Sequence, residues 1–121
     1  MQKAKYEDLE IYQLAEKLSD RIWQIVNKWD WTAKNTLGIQ LIDSSSSIGA
    51  NIAEGYGRGS NLDRARFAKI SRGSLFETTH WINKTHRLNI LTDSEYHEFS
   101  QLCDILTPKL SSYINYLKNK N

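Results

Sequence analysis

Apolar residues recur every three or four positions along most of the chain, which is the spacing of amphipathic helices. From about Asp8 to Trp29, charged and amide side chains occupy the opposite side of the helical wheel. Tyr12 and Trp23 lie beside the apolar stripe rather than within it. The pattern predicts a first helix that buries one face. Its apolar stripe comprises Ile11, Leu14, Ala15, Leu18, Ile22, Ile25, Val26 and Trp29.

A second helix is predicted from about Thr36 to Glu54, with Gly55 as its C-terminal cap. Besides a narrow aliphatic stripe, it carries a stripe of mostly small residues. Small side chains let another backbone come close, so we expect this helix to contact neighbours on two sides. The small-residue stripe consists of Ile42, Ser46, Gly49, Ala50 and Ala53.

Capping signals mark the starts of two further helices. Ser60, followed three residues later by Asp63, opens a third helix that extends to about Leu88, and Thr92 with Glu95 opens a fourth. The third is predicted to bury Phe67, Ile70, Ser71, Ser74, Leu75, Thr78, Trp81, Ile82 and Thr85. The fourth is predicted to bury Tyr96, Phe99, Leu102, Cys103, Leu106, Leu110, Tyr113, Ile114 and Leu117.

The connections between these helices are short and no segment alternates at period two. The sequence therefore predicts an all-α fold, an antiparallel up-down-up-down four-helix bundle, with residues 1–121 forming a single domain. One cysteine cannot form an internal disulfide and fits a reducing compartment. We expect no signal peptide, because no apolar run follows the first lysines, and no membrane partner, because no apolar stretch is long enough. A cytoplasmic location is expected.

Residue types that often act in catalysis or metal binding do not occur in this sequence at the spacings that such sites need. His80 and Cys103 lack partners at the spacing of zinc ligands, and Glu77 with His80 forms a lone pair on the outer side of its helix. The glycine-rich stretch 55–60 has neither a preceding strand nor a Walker lysine. The serine run 44–47 lacks a nucleophile elbow. We expect no catalytic residue, no metal, no cofactor and no enzymatic activity.

Charge is distributed unevenly although the net charge is only +2. The basic residues between positions 58 and 87 are Arg58, Arg64, Arg66, Lys69, Arg72, Lys84 and Arg87, against only Asp63 and Glu77. Five of them share the outer side of the third helix with Phe76, His80 and Asn83. These five, here called the basic face, are Arg66, Lys69, Arg72, Lys84 and Arg87. Such a face is predicted to bind RNA or DNA backbones; alternatives are a merely solvated surface or pairing with acids of a neighbouring subunit.

Apolar residues outside the predicted core indicate association between bundles. Two aromatic side chains flank the stripe of the first helix, and the second helix carries its small residues on another side. The predicted homo-oligomer interface comprises Tyr12, Trp23, Ile42, Gly49, Ala50 and Ala53.

Three stretches, 47–60 (SIGANIAEGYGRGS), 6–12 (YEDLEIY) and 73–77 (GSLFE), together resemble one family. It is the four-helix-bundle family encoded within intervening sequences of bacterial large-subunit ribosomal RNA genes, often labelled ribosomal-protein-like. Gly49 departs from the family pattern, which has Pro there. The resemblance implies a left-handed antiparallel bundle and closed homopentamers with a central channel. A related branch serves as accessory protein to reverse transcriptases of diversity-generating retroelements.

The predicted function is thus non-enzymatic. A homo-oligomeric, ring-forming bundle would bind nucleic acid weakly through its basic face. The alternative is a protein-interaction scaffold with no nucleic-acid role.

Overall fold

The computed structural model describes residues 5–120, which fold into four long helices with no strand among them. A short 3₁₀ turn, Tyr6–Asp8, precedes α1, Glu10–Val26. Helix α2 comprises an α turn, Trp31–Ala33, a π-helical segment, Lys34–Gly38, and an α-helix, Ile39–Arg58. Helix α3 spans Asn61–Arg87 and α4 spans Asp93–Lys118. Residues 1–4, on which the signal-peptide prediction partly rests, lie outside the described residues.

Helix α2 begins five residues earlier than predicted. Asp30 is its N-cap, and its side chain accepts a hydrogen bond of 2.9 Å from the backbone N–H of Ala33. The π-helical segment then brings Gly38 against α1, where a Cβ on that residue would lie 2.7 Å from Val26 Cγ1. Asp30 is a residue type that favours the N-cap position. The predicted start was too late because it was placed where the hydrophobic periodicity begins, after Asp30.

The prediction that Gly55 caps α2 is wrong. The helix continues to Arg58, and Gly59, with φ +87°, supplies the left-handed C-cap. Gly55 is instead buried where α2 meets α3, and a Cβ there would lie 2.6 Å from Phe67 Cβ. Its missing side chain permits the close approach of two helices rather than a turn.

Both predicted capping signals are confirmed as N-caps. Ser60 Oγ accepts from the backbone N–H of Asp63 at 3.1 Å. Thr92 Oγ1 accepts from the Glu95 N–H at 3.1 Å, and the Glu95 carboxylate accepts from the Thr92 N–H at 3.0 Å. The reciprocal pair makes a full capping box at the start of α4.

Consecutive helices pack on one another, and α4 closes the bundle against α1. The predicted four-helix bundle is thereby confirmed.

Ile70 does not join the core, contrary to prediction: it lies at the edge of the apolar arc and is 47% exposed, whereas Ala65 and Ala68 are buried. The core comprises Ile11, Ala15, Leu18, Ile22, Ile25, Val26, Leu41, Ile48, Ile52, Ala68, Leu75, Ile82, Leu91, Phe99, Cys103, Leu106, Leu110 and Ile114.

Buried hydroxyl groups line the contact between α2 and α3. Ser71 Oγ donates to the Ile48 carbonyl at 2.8 Å, and Thr78 Oγ1 donates to Ser44 Oγ at 3.1 Å. Across residues 5–120, no buried side-chain nitrogen or oxygen lacks a hydrogen-bond partner. The hydroxyls therefore find partners in a backbone carbonyl or in one another, while their side chains stay small enough for close packing.

Candidate nucleic-acid interface and oligomer interface

The structure divides the seven predicted basic residues into two groups. Arg58 and Arg64 lie at the hairpin between α2 and α3. Arg58 pairs with Glu54 at 3.0 Å, and its guanidinium lies 5.1 Å from the centre of the Phe67 ring. The Arg64 guanidinium lies 4.1 Å over the Tyr56 ring. Both side chains contact residues of the hairpin and lie outside the basic face.

The five remaining residues lie on the outer side of α3, as predicted. Arg66, Lys69 and Arg87 are exposed, whereas Arg72 and Lys84 are half-buried. At 1.5 Å per residue, the distance from Arg66 to Arg87 along the helix is about 30 Å. The basic face is therefore a long stripe rather than a point site.

Most of the positive charge on the basic face is not neutralised by other residues of the chain and is available to an anionic ligand. Arg66 forms an exposed pair with Asp63 at 3.4 Å, and Arg72 donates to Ser111 Oγ on α4 at 3.4 Å. Within residues 5–120, Lys69 and Arg87 form no ion pair or hydrogen bond. Exposed ion pairs contribute little free energy, so Arg66 can exchange its partner for a phosphate.

Acidic groups lie at the margins of the basic face. Glu77 is turned toward Trp81, whose indole Nε1 donates to its carboxylate at 3.1 Å. On α4, the exposed Asp104 is two helical turns before Ser111 and so lies on the same side of that helix. Between these margins, α3 presents positive and neutral side chains, and this arrangement favours an anionic ligand.

The predicted oligomer interface falls along the line where α1 meets α2. Ser19 Oγ and Ser46 Oγ are 3.3 Å apart, and a Cβ on Gly49 would lie 2.6 Å from Glu16 Oε2. These contacts fix the antiparallel register, in which Trp23 is opposite Ile42. By the same register Tyr12 is opposite Ala53. The six residues, which we call the α1–α2 seam, are Tyr12, Trp23, Ile42, Gly49, Ala50 and Ala53.

Members of the α1–α2 seam differ in exposure. Trp23 is 58% exposed and Ala50 is exposed, whereas Ile42 and Tyr12 pack partly against the core. Gly49 is buried within the chain beneath Glu16, whose carboxylate accepts from the Tyr12 hydroxyl at 3.4 Å. Partial burial, reinforced by Asp20, raises the pKa of Glu16. The exposed part of the seam is thus mainly Trp23 and Ala50.

Other chemistry-bearing groups are not assembled in the described part of the chain. No group of three or more His, Cys, Asp or Glu side chains in residues 5–120 could hold a metal ion. Cys103 is buried in the core, and this burial raises the pKa of its thiol to about 11. None of the described helices is long and apolar enough to cross a membrane.

Three exposed aromatic residues, Trp31, Phe76 and Tyr116, were not among the predicted site residues. Phe76 is 59% exposed within the basic face, and Trp31 is 77% exposed at the start of α2. The helical wheel already placed Phe76 on the side of α3 predicted to bind nucleic acid, but Phe76 was not itself named as a binding residue. Trp31 was missed because the predicted helix began after it.

Comparison with known proteins assigns the chain to a family. No curated protein matches the sequence. A crystal structure described as a protein of unknown function from the S23 ribosomal protein family of Bacteroides thetaiotaomicron has a TM-score of 0.77 and 22% identity, covering 86% of this chain and 97% of that one. At that identity the likeness shows the fold alone. The family described as 23S rRNA-intervening sequence protein matches residues 7–112. The chain belongs to the 23S rRNA-intervening sequence protein family.

Proposed function

We propose that this protein is a non-enzymatic, homo-oligomeric bundle of the cytoplasm that binds nucleic acid weakly through its basic face. The observation that carries the proposal is the basic face itself, which places three positive charges in the first half of α3 and two near its C-terminal end, with Lys69 and Arg87 unpaired among the described residues. Neutralised phosphates release counterions, which supplies a binding free energy independent of base sequence.

The affinity of one subunit is expected to be modest. The chain carries a net charge of only +2, and few side chains are placed to contact phosphate. Non-specific binding of this kind has dissociation constants of roughly 10⁻⁴ to 10⁻⁶ M at physiological salt. A closed oligomer would repeat the basic face on every subunit, so that one long nucleic acid could engage several copies.

Replacing Arg66, Lys69 and Arg72 together by Ala is expected to abolish measurable nucleic-acid binding. The three residues occupy successive turns of α3 and include exposed charges. Binding by the unaltered protein should weaken as salt rises, with a log-log slope of roughly −0.9 per phosphate neutralised on duplex DNA. Fluorescence anisotropy over a salt series measures both effects.

A charge-matched control is available elsewhere on the surface. Lys17, Lys28 and Lys118 are exposed and lie outside α3. Replacing these three by Ala removes the same formal charge and should leave most binding intact. Equal losses in both triple variants, or binding that ignores salt, would show that the basic face is not the site.

Self-association is expected to depend on the α1–α2 seam. Light scattering should return a multiple of 14.0 kDa, and Trp23→Lys should lower that multiple because it places a charge in an apolar contact. Trp31→Lys changes an even more exposed tryptophan outside the seam and serves as the control. A monomer at micromolar concentration would contradict the homo-oligomer.

The second candidate is a protein-interaction scaffold with no nucleic-acid role. Exposed tryptophans favour it, because Trp is enriched where protein interfaces concentrate their binding energy, and both Trp23 and Trp31 are more than half exposed. An oligomer that binds no nucleic acid at low salt would favour this candidate over the first.

A further inference from the structure

Phe76 lies in the middle of the basic face. It is exposed to solvent and does not pack against the core. It is four residues after Arg72 and four before His80, so these side chains are neighbours on the same side of α3. The Phe76 residue is 59% exposed, and its ring stacks on no other ring or cation within residues 5–120. An aromatic ring presented to solvent between cationic side chains offers a flat apolar surface beside phosphate-binding groups.

We propose that the basic face takes single-stranded nucleic acid, with an unpaired base stacked on Phe76 and the flanking phosphates held by Lys69 and Arg72. This inference rests on the proposed function. Single strands expose the faces of their bases, and stacking on an aromatic side chain contributes to binding without requiring a particular sequence. The exposed amide of Asn83, seven residues beyond Phe76 on the same side, adds a donor and an acceptor for a neighbouring base edge.

The bundle itself disfavours the alternative of a duplex. A helix can read duplex DNA by entering the major groove, which is about 12 Å wide. Helix α3 is flanked by α2 and α4, and packed helices lie about 8–10 Å apart. Neighbours on both sides therefore limit how deeply α3 can enter the groove. Against the outside of a duplex, the Phe76 ring would meet only sugars and phosphates.

Three labelled probes separate the contribution of the base from that of the phosphate. They are a mixed-sequence single strand of about ten nucleotides, the same strand in a duplex, and an abasic deoxyribose-phosphate chain of equal length. The unaltered oligomer should bind the single strand about 5- to 150-fold more tightly than the abasic chain. It should also prefer the single strand to the duplex.

Matched variants assign that preference to the ring. Phe76→Ala should lose the advantage of bases over the abasic chain while binding the abasic chain as before, and Phe76→Tyr should retain the advantage. Ile70→Ala, which removes an exposed apolar side chain from α3 outside the basic face, should behave like the unaltered protein.

The outcomes distinguish this inference from the proposed function. If binding depends on salt but favours the duplex, or if Phe76→Ala does not change the advantage of bases over the abasic chain, the stacking role of Phe76 is overturned. The basic face then remains a phosphate-binding surface. Absence of binding to all three probes overturns both.

Discussion

Replacing Phe99 by Ala is expected to lower the free energy of unfolding by about 3–5 kcal/mol. Phe99 is the largest side chain that is fully buried in the described residues. Its removal takes apolar surface out of the core and leaves a cavity that four packed helices can only partly fill. Since small domains are stable by only about 5–15 kcal/mol, this single change is expected to remove a large share of the stability.

Phe76→Ala is the matched control for this prediction, because the same chemical change falls on the outside of α3. Its effect on unfolding is expected to stay within about 0.5 kcal/mol. Chemical denaturation followed by circular dichroism measures both variants, compared by their midpoints at unchanged slope. Similar losses in the two variants would mean that Phe76 contributes to the core. A stable Phe76→Ala variant also ensures that its nucleic-acid binding is measured on a folded protein.

Replacing Gly55 by Ala is expected to destabilise the protein by about 1–3 kcal/mol. The added Cβ would lie 2.6 Å from Phe67 Cβ and 3.4 Å from the Arg64 backbone. Phe67 Cβ is bonded directly to the backbone of α3 and cannot rotate away. The methyl group can be accommodated only if α2 and α3 move apart, which would also disturb the buried hydroxyl contacts farther along the same pair of helices.

Gly57 provides a control two residues away in the same helix. A Cβ at Gly57 would meet nothing within 4 Å. Gly57→Ala should therefore stabilise the helix by roughly 0.5–1 kcal/mol, since Ala loses less backbone entropy than Gly on folding. Thermal or chemical unfolding of both variants tests the pair. If Gly55→Ala were as stable as Gly57→Ala, the close approach of α2 to α3 would be wrong.

Much of the fold could be predicted because helix periodicity and caps are local properties. The apolar stripe of α1, with Leu18 and Ile22 at its centre, is buried as its spacing predicts. Ser60 and Thr92 cap the helices that they were predicted to begin. The outer position of Lys69 and Arg87 on α3 also follows from spacing alone.

Two of the predictions that failed concern contacts between helices. Gly55 is of the residue type that C-caps favour, yet it is Gly59 that takes the left-handed conformation. Gly55 instead packs against Phe67. Ile70 is apolar and lies at the edge of the predicted face, but no neighbouring helix covers it. Neither outcome is encoded in the spacing of one helix, because each depends on how closely the next helix approaches.

For the candidate site, too, one part could be predicted from the sequence and another part depended on the tertiary structure. The sequence by itself determined that basic residues concentrate between positions 58 and 87 and that five of them share one side of a helix. Only the tertiary structure decided which aromatic rings two of the seven contact: at the hairpin, Arg58 lies against Phe67 and Arg64 against Tyr56. Helical periodicity is set by the chain's own geometry, whereas the partner of a long side chain depends on residues that only folding brings within a few ångströms.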